Sequence, residues 1–310
     1  MKIVFFGTPD FAVPSLQKLI DSDDAEVSLV VSQPDRKRSR NKMTPTPVKE
    51  LALKYDIPVI TPEKLNDKEV LERIISENAD FLVVIAYGQI IKEKLLKAYK
   101  DRIINIHGSI LPEYRGAAPM QRAILDGNSI TGVSSMLIDS GMDTGDILDI
   151  REENILDEDT LETMELKLSN LGADLLLDTL RNFDDRYENR IKQDAIKATY
   201  AAKIEKEEAK LNFDESSKSV FDKIRTLNIW PGAKISINGE IFKLHKSHIE
   251  KRNDEFKNGV IWKADKSGIY INACDGTIVV TEIQASNHKK MNVEDYLRGN
   301  RFETPIEVDR

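Results

Sequence analysis

The sequence predicts an α/β protein with a mainly parallel sheet in its first two hundred residues and a smaller β-domain after them. Two observations lead to this prediction. Apolar runs typical of buried strands alternate with helix-like segments in the first part, and closely spaced hairpin signals fill the second. A chain of 310 residues is long enough for two domains. We expect a first domain at 1–205, with a linker at its end, and a second domain at 206–310.

The predicted strands of the first domain are runs of apolar residues. Residues 2–6 form such a run, which Gly7 closes, and residues 81–86 and 102–107 form two more; residues 26–31 are predicted as a further strand. A run that is apolar throughout is expected for a strand buried on both faces of a sheet. The alternation of these runs with helices predicts βαβ units in a Rossmann-like arrangement.

Helical periodicity fills the stretches between these runs. Apolar residues recur with helical spacing over 11–20, and Thr61 followed by Pro62 predicts a helix that starts at 61–63. Residues 159–183 predict a long amphipathic helix with acidic residues in its first turn and leucines along its buried side.

The second domain is predicted from its turns. Asn238-Gly239 and Asp275-Gly276 each separate two strand-like runs, which is a strong signal for a β-hairpin. A short helix is expected before them at 218–227. Closely spaced hairpins favour a small β-barrel of the OB type.

Composition narrows the class of protein. The net charge is −8, which argues weakly against a nucleic-acid partner, but residues 206–310 carry 18 Lys and Arg against 17 Asp and Glu and are not acidic. A single cysteine, Cys274, cannot form an internal disulfide and fits a reducing compartment. The sequence shows no apolar run long enough for a membrane span and no signal-peptide pattern. We expect a cytoplasmic protein without membrane attachment.

Residues 105–112, which read Asn-Ile-His-Gly-Ser-Ile-Leu-Pro, contain the first candidate catalytic groups. Asn105 and His107 lie two apart at the end of a predicted strand, so their side chains point to the same face. Asp143 follows later in a loop rich in glycine. An amide donor, an imidazole and a carboxylate could together support acyl transfer without a Ser or Cys nucleophile. Taken singly, His107 could equally be a structural histidine and Asp143 an ordinary turn residue.

Residues 33–48 form a long predicted loop with three prolines and no apolar periodicity. Its basic residues are Arg36, Lys37, Arg38, Arg40 and Lys42. Long loops inside compact domains are usually functional or disordered, and Arg and Lys side chains are suited to contact phosphates. A solvated surface loop is the alternative interpretation.

Several other chemistries find no support in the sequence. Gly7-Thr-Pro-Asp is a glycine turn but lacks the G-x-G-x-x-G pattern of dinucleotide-binding dehydrogenases. Neither a phosphate-binding Walker sequence nor a G-x-S-x-G hydrolase motif is present. One early histidine and one late cysteine leave few metal ligands, so we expect no metal.

The whole chain resembles the methionyl-tRNA formyltransferases. The matching segments are Phe6–Ala12, Gln33–Asp35, Pro45–Lys49, Ala86–Ile91, Asn105–Ala123, Met142–Asp146, Tyr200–Lys203 and Trp230–Gly232. Other transferases that use formyltetrahydrofolate share part of the first half of this set. The resemblance implies an enzyme that moves the formyl group of 10-formyltetrahydrofolate to the amino group of methionyl-initiator tRNA, in translation initiation.

The resemblance also implies site residues. It makes Asn105, His107 and Asp143 catalytic. The implied folate-binding residues are Ser109, Ile110, Leu111 and Pro112, together with Tyr87, Gly88, Gln89 and Ile90. The implied tRNA-binding residues are Arg36, Arg38, Arg40 and Lys42 in the basic loop and Lys206 beyond the first domain, with Lys243, Lys246, Lys289 and Lys290 as further candidates. The family is usually monomeric, so we expect a monomer.

Three alternatives remain open at this point. The nearest is a formyltransferase acting on another amine, such as that of a sugar nucleotide; the basic loop and the β-domain argue against it. A second is an RNA-binding module whose α/β domain is catalytically silent, against which the Asn105, His107 and Asp143 set argues. A dehydrogenase is the weakest alternative, because the glycine fingerprint is missing.

Overall fold

The computed structural model describes residues 1–37 and 43–309, so Arg38, Arg40 and Lys42 of the predicted basic loop lie outside the described residues. The described chain divides into two compact units. The first contains residues 1–119, 130–154 and 165–201, and the second contains residues 120–129, 155–164 and 202–310. Two short segments, 120–129 and 155–164, therefore group with the C-terminal residues although they are flanked in sequence by the first unit.

The first unit is built on a seven-stranded sheet. The strands of the unit are β1 (Lys2–Gly7), β2 (Glu26–Val31), β3 (Arg36–Lys37), β4 (Met43–Thr44), β5 (Val59–Ile60), β6 (Phe81–Ile85), β7 (Ile103–His107), β8 (Arg115–Gly116), β9 (Ile130–Leu137), β10 (Ile147–Asn154) and β11 (Tyr200–Ala201). Four of them lie outside the main sheet, because β3 pairs with β4 and β8 with β11 in two separate two-stranded sheets. The seven strands lie in the order β10-β9-β7-β6-β1-β2-β5. From β7 to β5 all neighbours are parallel, whereas β9 and β10 are antiparallel additions at the other edge. The predicted mainly parallel Rossmann-like sheet is confirmed.

Helices follow the strands as βαβ connections require. They are α1 (Val13–Ile20), α2 (Pro47–Lys54), α3 (Lys68–Ile75), α4 (Glu93–Ala98), α5 (Pro119–Leu125), α6 (Leu161–Arg181) and α7 (Phe183–Glu188). Thr46 caps α2, since its hydroxyl accepts a hydrogen bond from Lys49 N at 3.3 Å, and Pro47 occupies the first turn. Gly172 of α6 lets the helix lie close to the sheet: a Cβ there would stand 2.9 Å from Cγ2 of Ile106 in β7.

The helix predicted to start at 61–63 begins instead at Lys68, so that boundary was wrong. The Gln89 side chain explains the difference. Its Oε1 accepts a hydrogen bond from Leu65 N at 2.8 Å, and its Nε2 donates to Pro62 O at 3.2 Å. These contacts hold the segment before α3 in a non-helical conformation, and no local sequence signal announces them.

The second unit carries the predicted antiparallel barrel. It contains α8 (Ser217–Thr226), β12 (Lys234–Ile237), β13 (Glu240–Glu250), β14 (Val260–Asp265), β15 (Gly268–Asn272), β16 (Thr277–Ala285), β17 (Met291–Asn292), α9 (Val293–Leu297) and β18 (Ile306–Glu307). The strand order is β12-β13-β16-β15-β14-β18, with β17 on β16. Asp309, just after β18, donates from its backbone N to Ser236 O of β12 at 2.8 Å, which joins the two ends of the sheet. Both predicted hairpins are present, and Asn238 and Gly239 adopt φ values of 51° and 81° at the first turn.

Candidate active site

β7 ends at the carboxyl edge of the parallel sheet, where ligands of α/β proteins usually bind. Asn105 and His107 lie on the same face of this strand, opposite Met136 and Ser134 of β9. The His107 side chain is buried and Asn105 is half-buried. Within the described part of the chain, the Asn105 amide makes no side-chain hydrogen bond, so its donors are available at this edge.

A hydrogen bond at Nε2 fixes the orientation of the His107 ring. Nε2 lies 2.9 Å from the backbone oxygen of Tyr114. Because a carbonyl oxygen can only accept, Nε2 must carry a hydrogen and donate it. The neutral ring is therefore unprotonated at Nδ1, and Nδ1 is the nitrogen that can gain or release a proton.

Nδ1 of His107 faces the carboxylate of Asp143. The distance from Nδ1 to Asp143 Oδ2 is 3.7 Å, which is longer than a direct hydrogen bond but short enough for strong attraction to a protonated ring. The same Oδ2 accepts a hydrogen bond from Gly116 N at 2.9 Å. The structure thus brings two of the three predicted catalytic side chains together and leaves Asn105 two residues away on the same strand face.

The loop that carries Asp143 is organised by its own residues. Asp139 Oδ1 accepts hydrogen bonds from Gly141 N at 2.9 Å and from Thr144 Oγ1 at 2.6 Å. A Cβ on Gly145 would stand 1.9 Å from Leu137 O, so only glycine fits there. Asp143 itself has a φ of 53°, a left-handed conformation that Asp adopts more readily than most residues. The shape of the loop is thus set by contacts among its own residues.

Gln193 is a polar residue of this region that the sequence did not single out. It is 9% exposed, and its Nε2 donates to the backbone oxygens of Asp143 and Gly145. Its only sequence signal is a glutamine in a charged stretch, which predicts a surface residue.

The segment proposed to bind folate, residues 109–112, is held against β9. Ser134 Oγ donates to Ser109 O at 2.7 Å and accepts from Leu111 N at 3.0 Å. Ile110 is half-buried and approaches Gly132, where a Cβ would meet its Cγ1 at 3.0 Å. The Leu111–Pro112 peptide bond is cis. The segment is a fixed wall beside His107 rather than a free loop.

The second proposed folate segment, residues 87–90, follows β6. The Tyr87 carbonyl accepts hydrogen bonds from Thr8 Oγ1 at 3.0 Å and Gln33 Nε2 at 3.1 Å. Burial raises the pKa of the Tyr87 phenol to about 12. Gly88 has a φ of 89°, and Ile90 is 69% exposed. The Gln89 side chain is engaged with residues 62–65, so among these four the exposed Ile90 has the side chain most available to a ligand.

The structure describes the two ends of the basic loop, up to residue 37 and from residue 43 onward. β3 pairs with β4 in an antiparallel hairpin, and Arg36 is exposed on it. The Ser32 and Thr46 hydroxyls are 2.6 Å apart, and Lys49 Nζ lies 2.7 Å from Asp35 Oδ2. The two ends of the predicted loop are therefore tied together beside the sheet.

The basic residues predicted for the second unit lie at its surface. Lys206 is exposed in a short 3-10 helix at Lys206–Ala209. Lys246 and Lys290 both approach Glu282, at 3.6 and 3.3 Å, which partly neutralises them. Lys243 and Lys289 are exposed as well. A half-buried imidazole, His245, lies in the same part of β13, and its partial burial together with Lys290 lowers its pKa.

The described residues contain neither a membrane-spanning helix nor a group of metal ligands. None of the helices in residues 1–37 and 43–309 is long and apolar enough to cross a membrane. Over the same residues, no three His, Cys, Asp or Glu side chains are grouped so that they could hold a metal ion.

Comparison with known proteins agrees with the two-unit fold. A family model described as formyl transferase matches residues 1–180, and one described as formyl transferase, C-terminal domain, matches residues 203–301. The fold and the polar edge of β7 thus define a formyltransferase with both domains.

Proteins of similar sequence show to which family of formyltransferases the chain belongs. The chain is 43% identical over 305 residues to a methionyl-tRNA formyltransferase of Finegoldia magna, which covers 98% of each chain. It is 44% identical to one from Sulfurihydrogenibium sp., which covers 97% of this chain and 98% of the other. A solved methionyl-tRNA formyltransferase from Clostridium thermocellum matches in fold, with a TM-score of 0.57 at 18% identity over 81% of this chain and 94% of that one. The chain belongs to the methionyl-tRNA formyltransferase family.

Proposed function

We propose that this protein transfers the formyl group of 10-formyltetrahydrofolate to the amino group of methionyl-initiator tRNA, and that Asn105, His107 and Asp143 carry the reaction. The observation that supports this most is the pairing of His107 Nδ1 with Asp143 Oδ2 at 3.7 Å, while Nε2 is committed to the Tyr114 carbonyl. A carboxylate and a titratable nitrogen then face one place at the edge of the sheet, next to a strand that carries a free amide.

The first step is attack of the free amine on the formyl carbon. The carbon–oxygen π electrons move onto the formyl oxygen, which becomes negatively charged. The Asn105 amide N–H and the Nδ1–H of a protonated His107 stabilise that charge. Removal of one such donor in other enzymes costs roughly 10²–10³-fold in rate, which is the size of effect we assign to Asn105.

A proton then passes from the attacking amine nitrogen to N10 of the folate. The attacking amine becomes cationic and gives its proton to the Asp143 carboxylate, directly or through the imidazole. The electron pair on the oxyanion re-forms the carbonyl as the bond between the formyl carbon and N10 of the folate breaks, and N10 takes the proton from the Asp143 carboxyl as it leaves. The products are a formylated amine and tetrahydrofolate, and the enzyme returns to its starting protonation state.

Binding surfaces follow from the same proposal. The folate would lie along Ser109, Ile110, Leu111 and Pro112 on one side and Tyr87, Gly88, Gln89 and Ile90 on the other. The acceptor end of the tRNA would meet Arg36, Arg38, Arg40 and Lys42, and the lysines of the second unit, Lys206 among them, would contact its backbone. An acidic protein needs such local basic groups to bind RNA, because its net charge repels phosphates.

The proposal extends to the setting of the reaction. Transfer in translation initiation requires charged tRNA and reduced folate in one compartment, which supports a cytoplasmic enzyme. Both catalytic and binding groups come from one chain, so a monomer suffices.

The experiment follows a radiolabelled formyl group. Purified protein is mixed with labelled 10-formyltetrahydrofolate and initiator Met-tRNA, elongator Met-tRNA, an amino-sugar nucleotide or no acceptor. We expect label on initiator Met-tRNA. Label on the sugar nucleotide alone would replace the proposed acceptor, and no transfer in any arm would remove the proposal.

A pair of histidine variants tests the site in the same assay. His107→Ala should abolish transfer. His248→Ala is the matched control, because His248 is an exposed residue of the second unit that lies 3.2 Å from Glu250 and has no proposed role. Equal activity in the two variants would show that the site lies elsewhere.

A further inference from the structure

The Gln193 side chain joins the loop of Asp143 to β8 of the first unit. Its Nε2 donates to Asp143 O at 3.0 Å and to Gly145 O at 2.7 Å. Its Oε1 accepts two hydrogen bonds from Arg115, from Nε at 2.9 Å and from a terminal guanidinium nitrogen at 2.7 Å. Both side chains are buried, with Arg115 only 4% exposed.

The orientation of this amide is unambiguous. A side-chain amide has two N–H donors and an oxygen with two lone pairs, and all four are used here. Two carbonyls face the donors and a guanidinium faces the oxygen, so a flipped amide would oppose like groups on both sides. All the hydrogen-bonding groups of the Gln193 amide are therefore satisfied, two by Arg115 and two by the loop of Asp143.

Neighbouring contacts explain how a residue so distant in sequence reaches the loop. Ile191 exchanges backbone hydrogen bonds with Ile147 at the start of β10, both at 2.8 Å. Tyr200 pairs with Arg115 in the β11–β8 ladder. The 191–201 segment is thus fixed at both ends, with Gln193 beside the Asp143 loop.

The contacts close into a ring around Asp143. Gly116 N donates to its carboxylate, Gln193 donates to its backbone oxygen, and Arg115, adjacent to Gly116, holds Gln193. Asp143 sits in a left-handed conformation between glycines, where the backbone has many alternatives once its partners are lost. A shift of this loop would change the distance from Asp143 Oδ2 to His107 Nδ1.

We propose that Gln193 is a positioning residue for formyl transfer: held by Arg115, it sets the Asp143 carboxylate opposite His107. This inference rests on the proposed function. Because its four hydrogen bonds go to Asp143, Gly145 and Arg115, Gln193 acts on the rate of transfer through Asp143 and not on substrate binding.

The test is the isosteric substitution Gln193→Glu. A carboxylate still accepts both hydrogen bonds from Arg115 but cannot donate to the Asp143 and Gly145 carbonyls, which it repels. We expect kcat to fall on the order of 10²-fold, the cost of misplacing a catalytic group by about 1 Å, while KM for both substrates stays within about threefold. Thr179→Val is the control, because Thr179 is a fully buried residue of α6 outside the site and should retain wild-type kcat.

A double variant shows whether the effect passes through Asp143. In an Asp143→Asn background, Gln193→Glu should lower the single-turnover rate by less than about twofold, because residues that act as one unit are not additive. If Gln193→Glu does not fold, Gln193→Asn serves instead, since its shorter side chain cannot reach Arg115 and both carbonyls together.

The outcomes separate the two claims. Wild-type protein without transfer would overturn the proposed function itself. Active wild type with unchanged kcat in Gln193→Glu, or a full loss repeated in the Asp143→Asn background, would overturn the role of Gln193. A rise in KM with unchanged kcat would assign Gln193 to substrate binding and equally reject the inference.

Discussion

His107 Nδ1 lies 3.7 Å from Asp143 Oδ2, although His107 ends β7 and Asp143 lies in the loop between β9 and β10. The strand end fixes the first residue, and contacts within the loop fix the second. Each has a second contact that orients it: Tyr114 O for the imidazole and Gly116 N for the carboxylate. Because Tyr114 and Gly116 lie in one short segment after β7, the segment sets both catalytic groups at once.

Asn105→Ala should lower kcat by roughly 10²–10³-fold with little change in either KM, because it removes a donor to the formyl oxygen that acts mainly in the transition state. Steady-state kinetics with initiator Met-tRNA measures this. Asn105→Gln keeps the amide but moves it by one methylene, and partial activity there would support the donor role. A large rise in the folate KM with normal kcat would instead make Asn105 a binding residue.

Arg36→Ala and Arg40→Ala should each raise the KM for Met-tRNA several-fold, about 1 kcal/mol per lost phosphate contact, and leave the folate KM unchanged. The effect should shrink as salt rises, since counterion release drives such contacts. Lys68→Ala, at an exposed position on α3, is the control. Equal losses in the use of both substrates would contradict a tRNA-specific role for the loop.

Arg225→Ala should destabilise the second unit by about 3 kcal/mol, because it removes the buried partner of the Asp222 carboxylate and leaves it only the exposed Lys218. Arg225 donates to Asp222 Oδ1 at 2.8 Å and to the backbone oxygens of Leu156 and Asp159, and both members of the ion pair are buried. Urea unfolding measures the loss. Lys218→Ala removes an exposed partner of the same Asp222 and should cost less than about 1 kcal/mol; a similar loss in both variants would refute the burial argument.

The second unit should lose stability in acid, because protonation of Glu208 removes a stabilising ion pair. The hydrogen bonds from Arg122 hold the pKa of this carboxyl below its usual range. A carboxyl whose folded-state pKa is depressed adds stability above its unfolded pKa, and this stability is lost as the pH falls through the folded value.

Urea midpoints of wild type and Glu208→Gln should therefore differ at pH 7 and converge as the pH falls through the folded-state pKa of Glu208, which lies below the usual value of about 4.3. Glu207→Gln, at the exposed neighbouring position, should show no such pH-dependent difference. A gap that widens in acid would reverse the sign of the argument.

Much of the fold could be predicted from sequence patterns, because strands buried on both faces and Asn-Gly turns have local sequence signatures. The runs at 81–86 and 102–107 became central strands, and both hairpins formed at the predicted turns, the first with a positive φ at Asn238 and Gly239. The helix boundary near residue 61 was missed because it depends on Gln89, whose contacts to residues 62–65 are tertiary.

For the candidate site, the sequence predicted only which residue types could take part in the reaction. Asn105, His107 and Asp143 were chosen for their residue types and for family resemblance, and their roles stay predictions. What no local pattern could supply is the support around them. Gln193 reaches Asp143 through strand pairing of Ile191 and Tyr200, and such pairing is a property of the folded chain.

The most direct test of the account is the single-turnover rate of formyl transfer to initiator Met-tRNA in wild type and in Asp143→Asn. The substitution removes the negative charge beside His107 but leaves a side-chain oxygen that can still accept from Gly116 N. We predict a loss of roughly 10²–10⁴-fold with folate and tRNA binding preserved, as expected for a group that moves a proton. A variant that transfers formyl at the wild-type rate would contradict the pairing of His107 and Asp143 as the centre of the reaction.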